Sequence, residues 1–120
     1  MPKILIVDDS ATQRQALINI LNKHNFETII AEDGQQGVDL SRSEMPDLIL
    51  MDVVMPGLNG FQATRHISKH ETTKDIPIII LTSKDQETDR VWAQRQGAKD
   101  YILKPASETD LMTKINLLLN

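Results

Sequence analysis

Three uninterrupted aliphatic runs constrain this chain more than any other feature: Ile4-Leu5-Ile6-Val7, Leu48-Ile49-Leu50-Met51 and Ile78-Ile79-Ile80-Leu81. A strand with one wet face alternates apolar and polar residues. A strand covered on both faces reads as a continuous β-favouring run. The three runs therefore predict central strands of a parallel sheet. Thr28-Ile29-Ile30-Ala31 and Tyr101-Ile102-Leu103 are weaker runs flanked by charge, which suits edge strands.

The segments between the runs are long enough for helices. Ser10 with Gln13, and Ser107 with Asp110, have the spacing of capping boxes. Leu17, Ile20, Leu21 and His24 follow the first at helical spacing, and Leu111, Met112, Ile115, Leu118 and Leu119 share one face after the second. Weaker stripes predict helices over 35–43 and 60–69, and Gly97 marks the stop of a fourth. That fourth helix has only Val91 and Trp92 as sizeable apolar residues, a thin stripe for docking on a sheet. Trp92 reads first as a partly buried packing residue and second as a partner contact; Leu117 falls off the apolar face of the last helix. Pro46, Pro56, Pro77 and Pro105 stand at segment borders, where they interrupt nothing. Strict strand–helix alternation predicts one α/β domain over residues 1–120, doubly wound, with the flavodoxin-like strand order 2-1-3-4-5.

Composition excludes several functions. With no cysteine among 120 residues, a disulfide framework, a thiolate zinc site and a cysteine nucleophile are ruled out. Thirteen Lys and Arg against seventeen Asp and Glu give a net charge of −4, which argues against nucleic acid or an anionic membrane surface as the main partner. No apolar run is long enough to span a bilayer, and the N-terminus lacks signal-peptide regions, so a cytoplasmic domain is the expectation.

In open α/β sheets, ligands bind beyond the carboxyl ends of the strands. The residues there are Asp8 and Asp9 after the first run, Asp52 after the third strand, Thr82 after the fourth, and Lys104 after the fifth. The predicted strand order brings these ends into one crevice. Three carboxylates together require a raised pKa or a bound cation. An all-oxygen donor set suits a hard ion, Mg²⁺ above all. A cation, an ammonium and a hydroxyl would then attract a phosphoryl group, and Asp52, alone on the central strand, is placed to take it as an aspartyl phosphate. His66 and His70 have a spacing that can bind metal, but no third ligand accompanies them, so they read as a solvated face. His24 reads as a helix-end residue beside Asn25.

Taken together, the stretches 4–10 (ILIVDDS), 47–57 (DLILMDVVMPG), 77–82 (PIIILT) and 97–105 (GAKDYILKP), with Gly60, resemble the CheY-like receiver domains of two-component response regulators. The resemblance covers essentially the whole chain. It implies that Asp52 is the phosphoacceptor, that Asp8 and Asp9 hold Mg²⁺ with Asp52 and the carbonyl of Val54, and that Thr82 and Lys104 bind the phosphoryl group. It also implies that Tyr101 is an aromatic switch acting with Thr82, and that the Lys104–Pro105 bond is cis. A CheA-like sensor histidine kinase would be the phosphodonor. The face of the fourth helix, fifth strand and fifth helix would bind a downstream protein, with no chemistry beyond self-phosphorylation and self-dephosphorylation. Because the chain ends at Asn120 after the last helix, no output domain is expected.

Stretches 55–65 (MPGLNGFQATR), 84–92 (KDQETDRVW) and 95–101 (RQGAKDY) are more particularly similar to single-domain regulators of the chemosensory systems that control type IV pilus twitching. A flagellar chemotaxis regulator or a phosphate sink is the alternative pathway role. Lys84 and Val54, each two residues past a site residue, would tune hydrolysis. A haloacid-dehalogenase-type phosphatase would carry a second Asp two residues after its nucleophile on the first strand, where this chain has adjacent Asp8-Asp9. A flavodoxin-type cofactor binder would need a phosphate loop where those two carboxylates stand.

Overall fold

The computed structural model describes residues 1–83 and 87–120. Five strands, β1 (Lys3–Val7), β2 (Glu27–Ala31), β3 (Leu48–Met51), β4 (Ile78–Thr82) and β5 (Asp100–Leu103), alternate with five helices. The helices are α1 (Ala11–Lys23), α2 (Gly34–Glu44), α3 (Gly60–Lys69), α4 (Glu87–Arg95) and α5 (Glu108–Leu119). All pairings are parallel and the sheet order is β2-β1-β3-β4-β5, so the weak runs are the edges and the continuous runs are interior.

The continuous runs divide with period two between two cores. Leu5, Val7, Ile49, Met51, Ile78 and Ile80 face one side, packed with Val38 of α2, Ala63 and Ile67 of α3 and Ala93 of α4. Ile4, Ile6, Leu48, Leu50, Ile79 and Leu81 face the other, against Leu17 and Leu21 of α1 and Leu111, Met112 and Ile115 of α5. Burying one such side chain stabilises the fold by about 1.5–3 kcal/mol relative to leaving it exposed. The central strands thereby fix which residues emerge at their carboxyl ends.

The helix ends show where local spacing was informative. Ser10 caps α1 by accepting from Gln13 N–H, and Ser107 caps α5 by accepting from Asp110 N–H. Neither box is reciprocal: the Gln13 side chain turns to Lys104, and the Asp110 carboxylate to Lys114 at 3.2 Å. A full reciprocal box forms instead at Asn59 and Gln62 of α3. His24 is the C-cap of α1, as expected of a helix-end residue. Gly97, at φ 110°, ends α4 in the left-handed region where a side chain would be strained.

One expectation is corrected. Val91 and Trp92 are not the stripe by which α4 docks: they are 40% and 48% exposed, and Ala93 is the buried residue of the helix. On a helix, the position facing the sheet is set by where the chain enters and leaves, and here that geometry selects the small side chain beside them. Leu117, at 73% exposure, lies off the apolar face of α5, as its spacing predicts.

Candidate functional site

Register carries the site. Val7 pairs with Met51, Met51 with Ile80, and Ile80 with Tyr101, so the residues after these strands emerge along one edge of the sheet. A cleft of about 620 Å³ opens there, lined among others by Asp8, Asp9, Gln13, Asp52, Val54, Thr82, Lys104 and Pro105. Carboxylate oxygens of Asp8, Asp9 and Asp52 lie within 4.8 Å of one another. Asp8 and Asp52 are buried, at 2% and 9% exposure, while Asp9 faces solvent.

Lys104 holds the buried pair together. Its ammonium donates to Asp8 Oδ2 at 3.0 Å and to Asp52 Oδ1 at 3.2 Å, and also to the side-chain oxygen of Gln13. Asp8 Oδ1 accepts the Ser10 N–H at 2.9 Å. The Lys104–Pro105 peptide bond is cis. Burial raises the pKa of Asp52 above its usual value; the positive charge of Lys104 opposes this and the negative charge of Asp8 adds to it.

Thr82 ends β4 at 1% exposure and lines the cleft. Val54, 62% exposed, lines it from the β3–α3 connection. Tyr101 lies outside the cleft lining, on β5 at 7% exposure, packed with the α2–α4 core. The guanidinium of Arg90 from α4 stands 4.7 Å from its ring centroid, a cation–π contact between helix and strand. Lys84 lies outside the described residues. His66 lies on α3 and His70 is its C-cap; among the described residues they belong to no group of three or more metal-ligating side chains.

Two residues escaped the sequence reading. Gln13 was legible only as a capping residue, yet its side chain reaches Lys104. Arg14 donates from Nη1 to the carbonyl of Asp8 at 2.7 Å and places Nη2 3.8 Å from Glu32, tying the end of β1 to the β2–α2 connection. A polar residue one turn into the helix after β1 is the only signal that points to either.

The donor set fits a hard divalent cation: three carboxylates and no soft ligand, converging from two strand ends. Among the described residues Lys104 is the cation paired with these carboxylates, and its one charge does not offset three, so a divalent cation would relieve the repulsion between them.

The model of the response regulator receiver domain matches residues 4–116. The chain is 56% identical over 119 residues to Protein PilH of Pseudomonas aeruginosa, covering 99% of this chain and 98% of that protein. Its fold is similar to chemotaxis protein CheY4 of Vibrio cholerae, with a TM-score of 0.93, 28% identity, and 99% of each chain covered. It is likewise similar to the receiver domain of the sensor histidine kinase PA1611 of Pseudomonas aeruginosa, with a TM-score of 0.91 and 30% identity over 98% of this chain and 97% of that one. That receiver domain has a magnesium ion coordinated in its active-site cleft. With the matching fold, the acidic cleft and a family match across nearly its whole length, this chain belongs to the response regulator receiver domain family.

Proposed function

We propose that this chain is a stand-alone response regulator that accepts a phosphoryl group on Asp52 and signals by binding other proteins. The observation that carries this reading is Lys104 bridging Asp8 and Asp52 in a cleft that Asp9 also lines. Receiver domains take their phosphoryl group from histidine kinases. A carboxylate oxygen of Asp52 attacks phosphorus, the P–N bond to the donor imidazole breaks as the new P–O bond forms, and the departing ring nitrogen keeps its electron pair. Asp8, Asp9, Asp52 and the carbonyl of Val54 would hold Mg²⁺, which would supply positive charge to the phosphoryl oxygens.

The chain's own groups supply the rest. Asp52 is buried enough to be poorly solvated, which keeps its carboxylate reactive once ionised, and Lys104 is already within reach of it. On transfer, Lys104 exchanges the Asp52 oxygen for a phosphoryl oxygen while keeping Asp8. The Thr82 hydroxyl donates to a second phosphoryl oxygen. Drawing Thr82 toward the phosphoryl group opens space beside β4, into which Tyr101 shifts, and the Arg90 contact passes that shift to α4. The half-exposed Val91 and Trp92 make the α4-β5-α5 face the output surface.

The likeness to PilH over both full lengths supports a place in the chemosensory control of type IV pilus twitching, with a CheA-like kinase as donor. No helix among the described residues is long and apolar enough to cross a membrane, which accords with a cytoplasmic site of action. The test is intact mass after incubation with Mg²⁺ and an acyl phosphate, and then with the kinase, beside an Asp52→Asn control. One Mg²⁺-dependent phosphoryl adduct, absent from the control, is expected. A folded protein that both donors leave unmodified would sink the phosphoacceptor reading.

A further inference from the structure

We propose that a groove between α2 and α3, running along α3 and sharing no lining residue with the acidic cleft, is a docking site for an acidic peptide segment of a partner protein. The groove has a volume of about 570 Å³ and is lined by Arg42 of α2 and by Gln62, Arg65, His66, Lys69 and His70 at α3. The chain as a whole is acidic, with a net charge of −4, yet no carboxylate lines this groove.

The carboxylates nearest in sequence are turned to other partners. Asp39 accepts from Gln35 at 3.1 Å, Glu44 stands 4.0 Å from Lys3, and Glu71 pairs with Lys74 at 3.2 Å. Among the described residues, the side chains of Arg42, Arg65 and Lys69 make no hydrogen bond or ion pair. Three cations thus converge on one groove without a counter-charge among the described residues.

Helix dipoles explain part of this. Arg42 sits in the last turn of α2 and Lys69 in the last turn of α3, where cations offset exposed carbonyls. That rule favours a cation at each helix end. It does not require both ends to open into a shared groove, nor does it account for Arg65, which precedes the last turn.

The lining selects the occupant. Apart from the imidazoles of His66 and His70 no aromatic side chain lines the groove, the chain's net charge of −4 opposes a nucleic acid, and no apolar residue is present to enter a lipid layer. Guanidinium groups match carboxylates with two parallel hydrogen bonds. Arg65 and Lys69 are four residues apart, on one helical face, and so meet carboxylates presented in series by one segment. Gln62 adds a donor to the lining: its side-chain oxygen accepts the Asn59 N–H at 3.0 Å, which leaves its NH₂ group uncommitted among the described residues.

The site is independent of the phosphoacceptor. Gly60, the first residue of α3, lies against Asp52; Gln62 is the groove residue next along the helix, Lys69 is nine residues on, about 14 Å at the usual rise, and no residue lines both the groove and the cleft. A segment bound in the groove therefore leaves the acidic cleft open.

The experiment is fluorescence anisotropy of a labelled oligoglutamate peptide at about 0.15 M salt, where exposed charges act only at short range. Wild type, an Arg42→Ser/Arg65→Ser variant, and a control Lys23→Ser/Lys114→Ser variant altered elsewhere on the surface are compared. Saturable binding is expected, weakened about tenfold or more in the groove variant and unchanged in the control. Asp52→Asn should bind as wild type does, so failure of the phosphoacceptor reading would not affect this result. Melting curves establish that the variants are folded, and Lys69→Gln provides a milder lesion should the double variant not fold. Absent binding, equal loss in the control, or tighter groove-dependent binding of single-stranded DNA or phosphatidylglycerol vesicles would each overturn the proposal.

Discussion

Gly60 packs its backbone directly on the backbone of Asp52: a Cβ at that position would fall 2.0 Å from the Asp52 carbonyl oxygen and 2.8 Å from Val53 Cα. Both obstacles are main chain and cannot rotate away. Gly60 N–H also donates to the Val53 carbonyl at 3.0 Å, so α3 begins against the segment that carries Asp52. Gly60→Ala must therefore push α3 off β3 or displace Asp52. The expected cost is about 1–3 kcal/mol, typical of overpacking, read from the urea midpoint. Phosphoryl uptake should slow as well. A variant with wild-type stability and uptake would show that the connection yields freely.

The sequence made the sheet legible because its central runs are continuous and its site residues are anchored to strand ends. Once Ile4–Val7 and Leu48–Met51 pair, Asp8 and Asp52 have nowhere else to emerge. Long side chains on helices were less legible. The spacing of Ser10 and Gln13 describes a cap, but whether the Gln13 amide closes that cap or reaches Lys104 depends on a residue 91 positions away. Val91 and Trp92 were misread for a related reason, since hydrophobicity alone cannot say that Ala93 occupies the inward position. The groove between α2 and α3 is visible only when two helix ends meet.

Stability should depend on pH through Asp52, to an extent that Mg²⁺ reduces. Burial, opposed by Lys104 and reinforced by Asp8, raises its pKa in the native state above the unfolded value. The native state therefore holds this proton to higher pH. Its contribution is fully present below the unfolded pKa and is lost as pH rises through the folded one. In EDTA, the stability of the wild type should fall relative to Asp52→Asn as pH rises through that window. Mg²⁺ favours the ionised form and should narrow the gap, adding about 2.7 kcal/mol at a hundredfold excess over its dissociation constant. Parallel pH profiles for the two proteins in EDTA would contradict this account.

Helix α4 should be the most readily opened of the helices on its side of the sheet. Its buried residue is Ala93, whereas α3 buries Gly60, Ala63, Thr64 and Ile67. Few apolar contacts mean low local stability, and switching elements come from that end of the range. Amide deuterium exchange should be faster in 87–95 than in 60–69. Phosphorylation of Asp52 should change protection in α4 and β5 and leave α1 nearly unaltered. Replacing Arg90 with Ala removes the contact to the Tyr101 ring and should weaken that response in α4. Protection in α4 that is indifferent to phosphorylation would rule out this route.

Two buried threonines should respond in opposite ways to the same change. Thr73 and Thr64 are both fully buried. The Thr73 hydroxyl donates to the Ile67 carbonyl at 2.7 Å, satisfying a backbone oxygen in the last turn of α3. Thr64 Oγ1, inside the same helix, has no hydrogen-bond partner among the described residues. Valine has nearly the same shape without the hydroxyl. Thr73→Val therefore removes a made bond and leaves a buried carbonyl short of a donor, at an expected cost of about 1–3 kcal/mol. Thr64→Val removes a polar atom already lacking compensation, so it should be neutral or stabilise by up to about 1–3 kcal/mol. Urea unfolding of both variants measures the contrast directly. The result that would contradict it is an equal loss in the two, because the hydroxyl of Thr64 would then be contributing as much to the native state as that of Thr73.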